Sequence, residues 1–447
     1  MFSGKVGAVG IESRRSKGPT PHQLKAAICA EASTKCEERF GQLLEAVVLA
    51  GSLASDEGTF VNKGKDRWSA LEDAEFLLVF ERNFPLPGRA ILENLEGEIE
   101  GRLEARNVTC PVRLNAVHPA YLRNLRPAMD SFELRNCGQV IWGDEAILSL
   151  IPDFSPRDIP LENAWQLLSK RMVEQLSVAE QLVESASPST EAHYQTVKLY
   201  LDMATSFLMF SGAYAPTCRE RSKRLSLLAQ NARAVDEYPF PLFDFASHVE
   251  ACTRWKLSPD EEPPSATQSH WDTAVVYAWL LWRWELARLT GASHRLRNFE
   301  LIQRWFEREP LRERLRGWRV VLRQCGRRHS WRHWPRWARL LRQASPQLWI
   351  YAAASELLFS LPSFSTSRGR LALDAKWNRV RDWLPLAEHD PTPDQARWRA
   401  LASEIVRNYQ EFVAETRAPF GGSDAKHPSL VRETQREAIP RMVDQEA

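Results

Sequence analysis

Asp73 and Glu75 stand two positions apart at the head of an apolar run, Phe76-Leu77-Leu78-Val79-Phe80. Side chains alternate along a strand, so both carboxylates are expected on one side of the sheet, one pleat apart. Carboxylates in that relation can share a hard divalent cation, since magnesium takes one or two carboxylates together with phosphate oxygens and water. Upstream, the apolar run over 43–50 stops at Gly51-Ser52, which reads as a buried strand entering a tight turn. Gly51 admits close backbone approach, and Ser52 brings a hydroxyl donor for a phosphate. Together these residues can handle a Mg²⁺-bound nucleoside triphosphate.

The elements that must hold them follow from periodicity. Leu24, Ala27, Ile28 and Ala32 predict a helix over 22–40, and Ile91, Leu95, Ile99 and Leu103 predict another over 90–105. Strands are expected over 43–50, 76–80 and 112–117, with a polar loop carrying Gly58, Asn62, Lys63 and Gly64 between the first two. Pro152, Pro156 and Pro160 mark the exit from this sheet region. Beyond them, Trp165, Leu168, Met172 and Leu176 give one helix, and Val197, Leu201, Phe207 and Leu208 another. The expected class is α+β: a mixed sheet with flanking helices, followed by predominantly α-helical domains. The expected division is a loose lead-in over 1–20, a sheet domain over 21–155, a helical domain over 156–260, a Trp- and Arg-rich helical block over 268–415 and a loose tail over 416–447.

Strand, Gly51-Ser52 turn, loop and Asp73-Ala74-Glu75, in that order, resemble the polymerase-beta-like nucleotidyltransferase superfamily. The likeness is closest to bacterial members with a C-terminal helical domain. Ser131-Phe132-Glu133-Leu134 followed by Gly138-Gln139-Val140-Ile141-Trp142-Gly143 is similar to the end of their catalytic domain. Lys198, Asp202, Gly212, Tyr214, Thr217 and Arg221 resemble their helical half, so the likeness covers roughly residues 24 to 230. It implies a Mg²⁺-dependent enzyme that moves a nucleoside monophosphate from a triphosphate to an unidentified acceptor hydroxyl on a small molecule, a protein or an RNA. Asp73 and Glu75 would be the catalytic metal ligands, and Gly51, Ser52, Lys198 and Asp202 would bind the nucleotide. Lys198 and Asp202, four apart, read equally as a solvated ion pair on a helix.

The sequence departs from the family pattern. The interval from Leu53 to Glu72 is long, and Leu53-Ala54-Ser55 replaces the Arg or similar polar group that often follows the turn. The strand expected to carry a third acid reads Arg113-Leu114-Asn115-Ala116-Val117, which places Asn115 in the metal set. An amide oxygen can coordinate a metal but takes no proton from an attacking hydroxyl. Glu133 is the alternative third catalytic acid. The rival expectation is therefore a catalytically impaired, nucleotide- or partner-binding member.

Composition sets outer limits. In 447 residues, 59 Lys+Arg face 57 Asp+Glu, a formal net charge of +2, so a uniformly electropositive nucleic-acid coat is excluded and any basic surface must be clustered. One cluster exists: Arg312 to Arg342 holds eleven arginines and a single acid, Glu313. Arg316, Arg319, Arg323 and Arg327 recur at helical spacing, with Trp318, Trp331, Trp334 and Trp337 interleaved. Such a stripe can hold a nucleic-acid backbone and stack its bases. Equally, the tryptophans can be core while the arginines snorkel. His329 and His333 have a metal-compatible spacing but arginine neighbours, which argues against a ligand pair. Seven cysteines without a CxxC pair suggest a reducing compartment, and no unbroken apolar stretch approaches eighteen residues, so a cytoplasmic protein without a membrane span is expected.

Overall fold

A computed structural model describes residues 18–184, 189–231, 238–259, 268–293, 295–361, 377–387 and 394–413. The expected lead-in up to residue 17, the break at 260–265 and the tail from 416 lie outside the described residues.

The fold is α+β. Helix α1 (Pro21–Phe40) begins where it does because Thr20 and Gln23 form a reciprocal capping box, with Pro21 pre-set for the first turn. Next come β1 (Leu44–Ala50), the one-turn helix α2 (Gly51–Ala54), β2 (Phe60–Asn62), β3 (Trp68–Ala70) and β4 (Ala74–Phe80). Then follow α3 (Arg89–Ala105), β5 (Val108–Thr109), β6 (Val112–Val117), α4 (Pro119–Arg123), α5 (Met129–Cys137) and β7 (Gln139–Gly143). The main sheet has the order β6-β4-β1-β7. β1 is antiparallel to both β4 and β7, and β4 is parallel to β6. The stretch expected as a polar loop between β1 and β4 instead carries β2 and β3, which join β5 in a second small sheet.

Alternation sorts the main sheet into two faces. Val47, Leu49, Phe76, Leu78 and Leu114 pack with α1 and α3, while Ala46, Val48, Leu77, Val79 and Val117 pack with Leu122 and Leu134 of α4 and α5. Glu75 lies between Ala74 and Phe76, so it shares the second face with Leu77.

The rest of the described chain is helical: α6 (Leu161–Glu184), α7 (Thr190–Phe210), α8 (Cys218–Asn231), α9 (Leu242–Leu257), α10 (Gln268–Thr290), α11 (Asn298–Arg308), α12 (Leu311–Leu341), α13 (Pro346–Leu358) and α14 (Asp394–Phe412). One core runs through these helices and takes in Val61, Leu71 and Phe132 from the sheet region. The seven cysteines are all unpaired. No helix among the described residues is long and apolar enough to cross a membrane.

A carboxylate fixes one junction between the two regions. Glu57, buried in the segment after α2, accepts hydrogen bonds from the backbone N–H groups of Cys218 and Arg219 at 2.8 and 2.9 Å, capping the start of α8. Glu57→Ala removes that cap across 161 positions of sequence and is expected to cost about 1–2 kcal/mol. Urea unfolding followed by circular dichroism measures the loss.

Candidate functional site

β1 delivers Gly51 and Ser52 to the rim of the sheet. Gly51 has φ +69°, a left-handed conformation that suits glycine, and it is exposed. Ala50 pairs with Glu75 across the β1–β4 ladder. The Glu75 carboxylate thereby lies over the turn: a Cβ built on Gly51 would sit 3.6 Å from Glu75 Oε2. The expected juxtaposition of an acid with the Gly-Ser bend is present.

Asp73 directly precedes β4, and its carboxylate accepts a hydrogen bond from Arg113 Nε at 2.7 Å. The parallel β4–β6 register sets Arg113 level with Glu75, and Asn115 level with Leu77. Arg113 and Asn115 share a face, but Asn115 stands one pleat further along, about 6.6 Å down the strand. The residue beside the acidic pair is therefore Arg113, where Asn115 was expected. Burial works against the charged guanidinium, but the charge of Asp73, its hydrogen bond and Glu75 outweigh burial and hold Arg113 above its ordinary range.

Glu133, the alternative third acid, is engaged elsewhere. It stands on α5, where its carboxylate accepts hydrogen bonds from the Tyr214 hydroxyl at 2.6 Å and from Arg221 Nη1 at 2.8 Å. Phe132 and Leu134 flank it as buried neighbours. These bonds tie α5 to the α7–α8 connection and to α8.

Ser52 points to a residue the sequence did not single out. Its hydroxyl donates to Glu72 Oε2, and the other oxygen, Oε1, accepts from Lys256 Nζ of α9. Lys256 also reaches Thr59 Oγ1 at 3.5 Å. Burial raises the Glu72 pKa, but the charges of Lys256 and then Lys198, with hydrogen bonds from Lys256 and Ser52, outweigh it and leave the carboxyl below its ordinary value. Lys198 of α7 and Lys256 both lie over the Tyr194 ring, at 5.2 and 5.8 Å from its centroid. Asp202, one helical turn further along α7, accepts from Arg171 Nε of α6 at 2.7 Å.

Compared with known proteins, the sequence matches no family model and no curated protein. What the site can do rests on its own geometry. An acid at a glycine turn, a guanidinium on the acid pair and two lysine charges acting on the carboxylate that takes the Ser52 hydroxyl make a set of alternating charges. This set suits recognition of a polyanion with polar edges better than it suits a bare metal ion.

Magnesium, which the resemblance implies, does not fit the donor set. Two-ion phosphoryl chemistry needs several carboxylate oxygens turned to the ions. Here Asp73 is engaged by Arg113, and the level on β6 beside Glu75 carries a positive charge in place of a third acid. A cavity of about 710 Å³ opens between α6, α11, α12 and α13 and is lined among others by Glu162, Lys170, Trp305 and Arg316. It contains none of the Ser52 or Asp73 groups. Convergent charge, rather than volume, places the candidate site at the Gly51 turn.

The arginine cluster divides. Arg316, Arg319 and Arg323 are exposed on α12, while Arg314 donates to the carbonyls of Phe306 and Arg342, and Arg336 to that of Arg381. Trp318 and Trp337 are buried, with their indole N–H groups on the carbonyls of Ala344 and Pro385, whereas Trp334 is exposed. His333 is half-buried and stacks on Trp337. The side chains of Arg327, His329 and Trp331 lie outside those described.

Proposed function

We propose that this protein is a nucleotidyltransferase-like, nucleotide-binding protein in which an arginine has replaced metal-held acid chemistry. It takes the phosphates of a nucleoside triphosphate at the Gly51-Ser52 turn and does not depend on Mg²⁺ for doing so. The observation that carries this reading is Arg113, level with Glu75 on the neighbouring strand and hydrogen-bonded to Asp73. A guanidinium there supplies fixed positive charge and donors in a fork that matches phosphate oxygens. Lys198 and Lys256 add positive charge from α7 and α9 on the Ser52 side. The seven unpaired thiols support a reducing, cytoplasmic setting for it.

Titration calorimetry with ATP, GTP, CTP and UTP, with excess EDTA or with Mg²⁺, tests the reading. The expected result is binding of at least one nucleotide with affinities within about threefold in the two conditions, and no pyrophosphate release. Arg113→Asp should create a Mg²⁺ requirement by placing an acid beside Glu75, making binding at least tenfold tighter with Mg²⁺ than with EDTA.

One observation favours a second reading, in which an acceptor hydroxyl attacks the α-phosphorus and pyrophosphate leaves: Glu75 lies against the Gly51 turn, as an active member of the superfamily would require. Wild-type pyrophosphate release that needs Mg²⁺ and disappears in Asp73→Ala would establish that reading and remove the first.

A further inference from the structure

Helix α12 turns a row of arginines away from the core. Steps of four, three and four residues set Arg312, Arg316, Arg319 and Arg323 on one face of the helix. All four are exposed, whereas Trp318 and Val321, on the side facing the other helices, are buried. Arg316 meets Glu313 at 3.9 Å, with side chains 77% and 51% exposed, and Arg312, Arg319 and Arg323 pair with no described residue. An open recess of about 540 Å³ lies among them, lined by Arg312, Glu313, Leu315, Arg316 and Arg319. Guanidinium groups in line, with one solvated acid beside them, form a surface that a phosphate backbone neutralises.

The same face carries an aromatic ring. Trp334 follows Arg323 by eleven residues, about three helical turns, and is 54% exposed. The indoles of Trp318 and Trp337 are instead buried and hydrogen-bonded to backbone carbonyls. A tryptophan left in solvent in line with an arginine row offers a flat face on which an unpaired base can stack. From Arg312 to Trp334 the stripe runs about 33 Å at 1.5 Å per residue.

Other anionic partners fit this face less well. A duplex keeps its base faces inside the stack and leaves Trp334 without a role. A partner helix needs an unbroken apolar seam. Leu311, Leu315 and Leu322 are exposed along one edge of the stripe, but Trp318, which completes their spacing, is withdrawn into the core. A bilayer approaching this face meets the guanidinium groups first, with the leucines to one side.

We propose that the exposed face of α12, from Arg312 to Trp334, binds single-stranded nucleic acid, with the arginines on phosphates and Trp334 against a base. This surface shares no residue with the Gly51 turn and stands whether or not that turn takes a nucleotide.

The test is fluorescence anisotropy of the full chain with labelled oligo(U) and oligo(dT) of about 16 nucleotides over a salt series. Wild type should bind at least one of the two, with a slope of log affinity against log salt of about −3, roughly 0.7 for each of four phosphates. Arg319→Ala/Arg323→Ala should weaken binding about tenfold at about 0.1 M salt and flatten the slope by about 1.4. Trp334→Ala should weaken it about fivefold and leave the slope unchanged, the signature of stacking rather than charge. Far-UV circular dichroism verifies folding, and if the arginine pair variant does not fold, Arg312→Ala/Arg316→Ala takes its place with the same expected readout. Absence of binding to both strands would overturn the proposal. So would equal affinity for poly-glutamate or for a duplex of the same length, binding confined to phosphatidylserine vesicles, a folded arginine pair variant with wild-type affinity and slope, or a Trp334→Ala protein that binds as the wild type does.

Discussion

Lys256→Ala should destabilise the protein by about 3–5 kcal/mol at neutral pH, the cost of leaving a buried charge without its partner. The side chains of Lys256 and Glu72 are only 7% and 13% exposed, so water cannot take the lost partner's place. The pair also joins β4's leading bend to α9, across 184 positions of sequence, and its loss loosens the sheet from the helices. The pH dependence has a definite sign. Glu72 is held below its ordinary carboxyl value in the wild type, so its contribution is present above about pH 4.5 and fades as pH falls. The difference between wild type and Lys256→Ala should therefore be largest near pH 7 and shrink towards pH 4. Urea denaturation at pH 7 and pH 4 reads this directly. The double variant Glu72→Leu/Lys256→Met should recover much of the loss, because two apolar side chains leave no orphan charge. Additive losses in the double variant would mean that the two residues do not act as a pair.

Glu285→Gln should do the opposite and stabilise the protein. Glu285 is fully buried on α10, with one oxygen accepting from Ser206 Oγ of α7 at 2.5 Å and the other without a hydrogen-bond partner among the described residues. Burial pushes its pKa up to about 8, against the smaller opposing effect of the Ser206 hydrogen bond. The group is thus protonated in the folded protein at neutral pH, while in the unfolded chain it ionises above about pH 4.5. Between those values folding takes up a proton, so the contribution of Glu285 to stability is intact below about pH 4.5 and is lost as pH rises towards 8. Glutamine keeps the shape and removes the ionisation. The expected gain is about 4 kcal/mol at pH 7.5 and under about 1 kcal/mol at pH 5. Equal effects at both pH values would show that Glu285 does not change its protonation on folding.

Most of the sheet was legible in the sequence because its two central strands, β1 and β4, are buried on both faces. Continuous apolar runs at 44–50 and 76–80 admit few other readings, and the four-residue spacing of Ile91, Leu95, Ile99 and Leu103 matches α3. The second sheet was not legible, since β2 and β3 are three residues each and too short for alternation to stand out from a polar loop. Alternation also predicts which face a side chain takes but not the level at which two strands meet. Arg113 and Asn115 were equally placed on β6 by sequence, and only the β4–β6 register brings Arg113 to Glu75. Glu133 was offered as a third acid because its apolar-acid-apolar context resembles that of a strand acid, but the same pattern suits a short helix, and α5 buries Phe132 and Leu134 on either side of it. Glu72 adjoins the acidic pair, and its position beside Asp73 was the available signal. Lys256 gave none, because its partner is set by how α9 packs on the sheet region.

In the proposed function Arg113, rather than a bound ion, balances the acids at the Gly51 turn. The most direct test of that role is calorimetric titration of ATP into the wild-type protein in EDTA and in Mg²⁺, with pyrophosphate release followed in parallel. Affinities within about threefold of each other and no pyrophosphate are expected. Binding that requires Mg²⁺, accompanied by pyrophosphate release that Asp73→Ala abolishes, would contradict it.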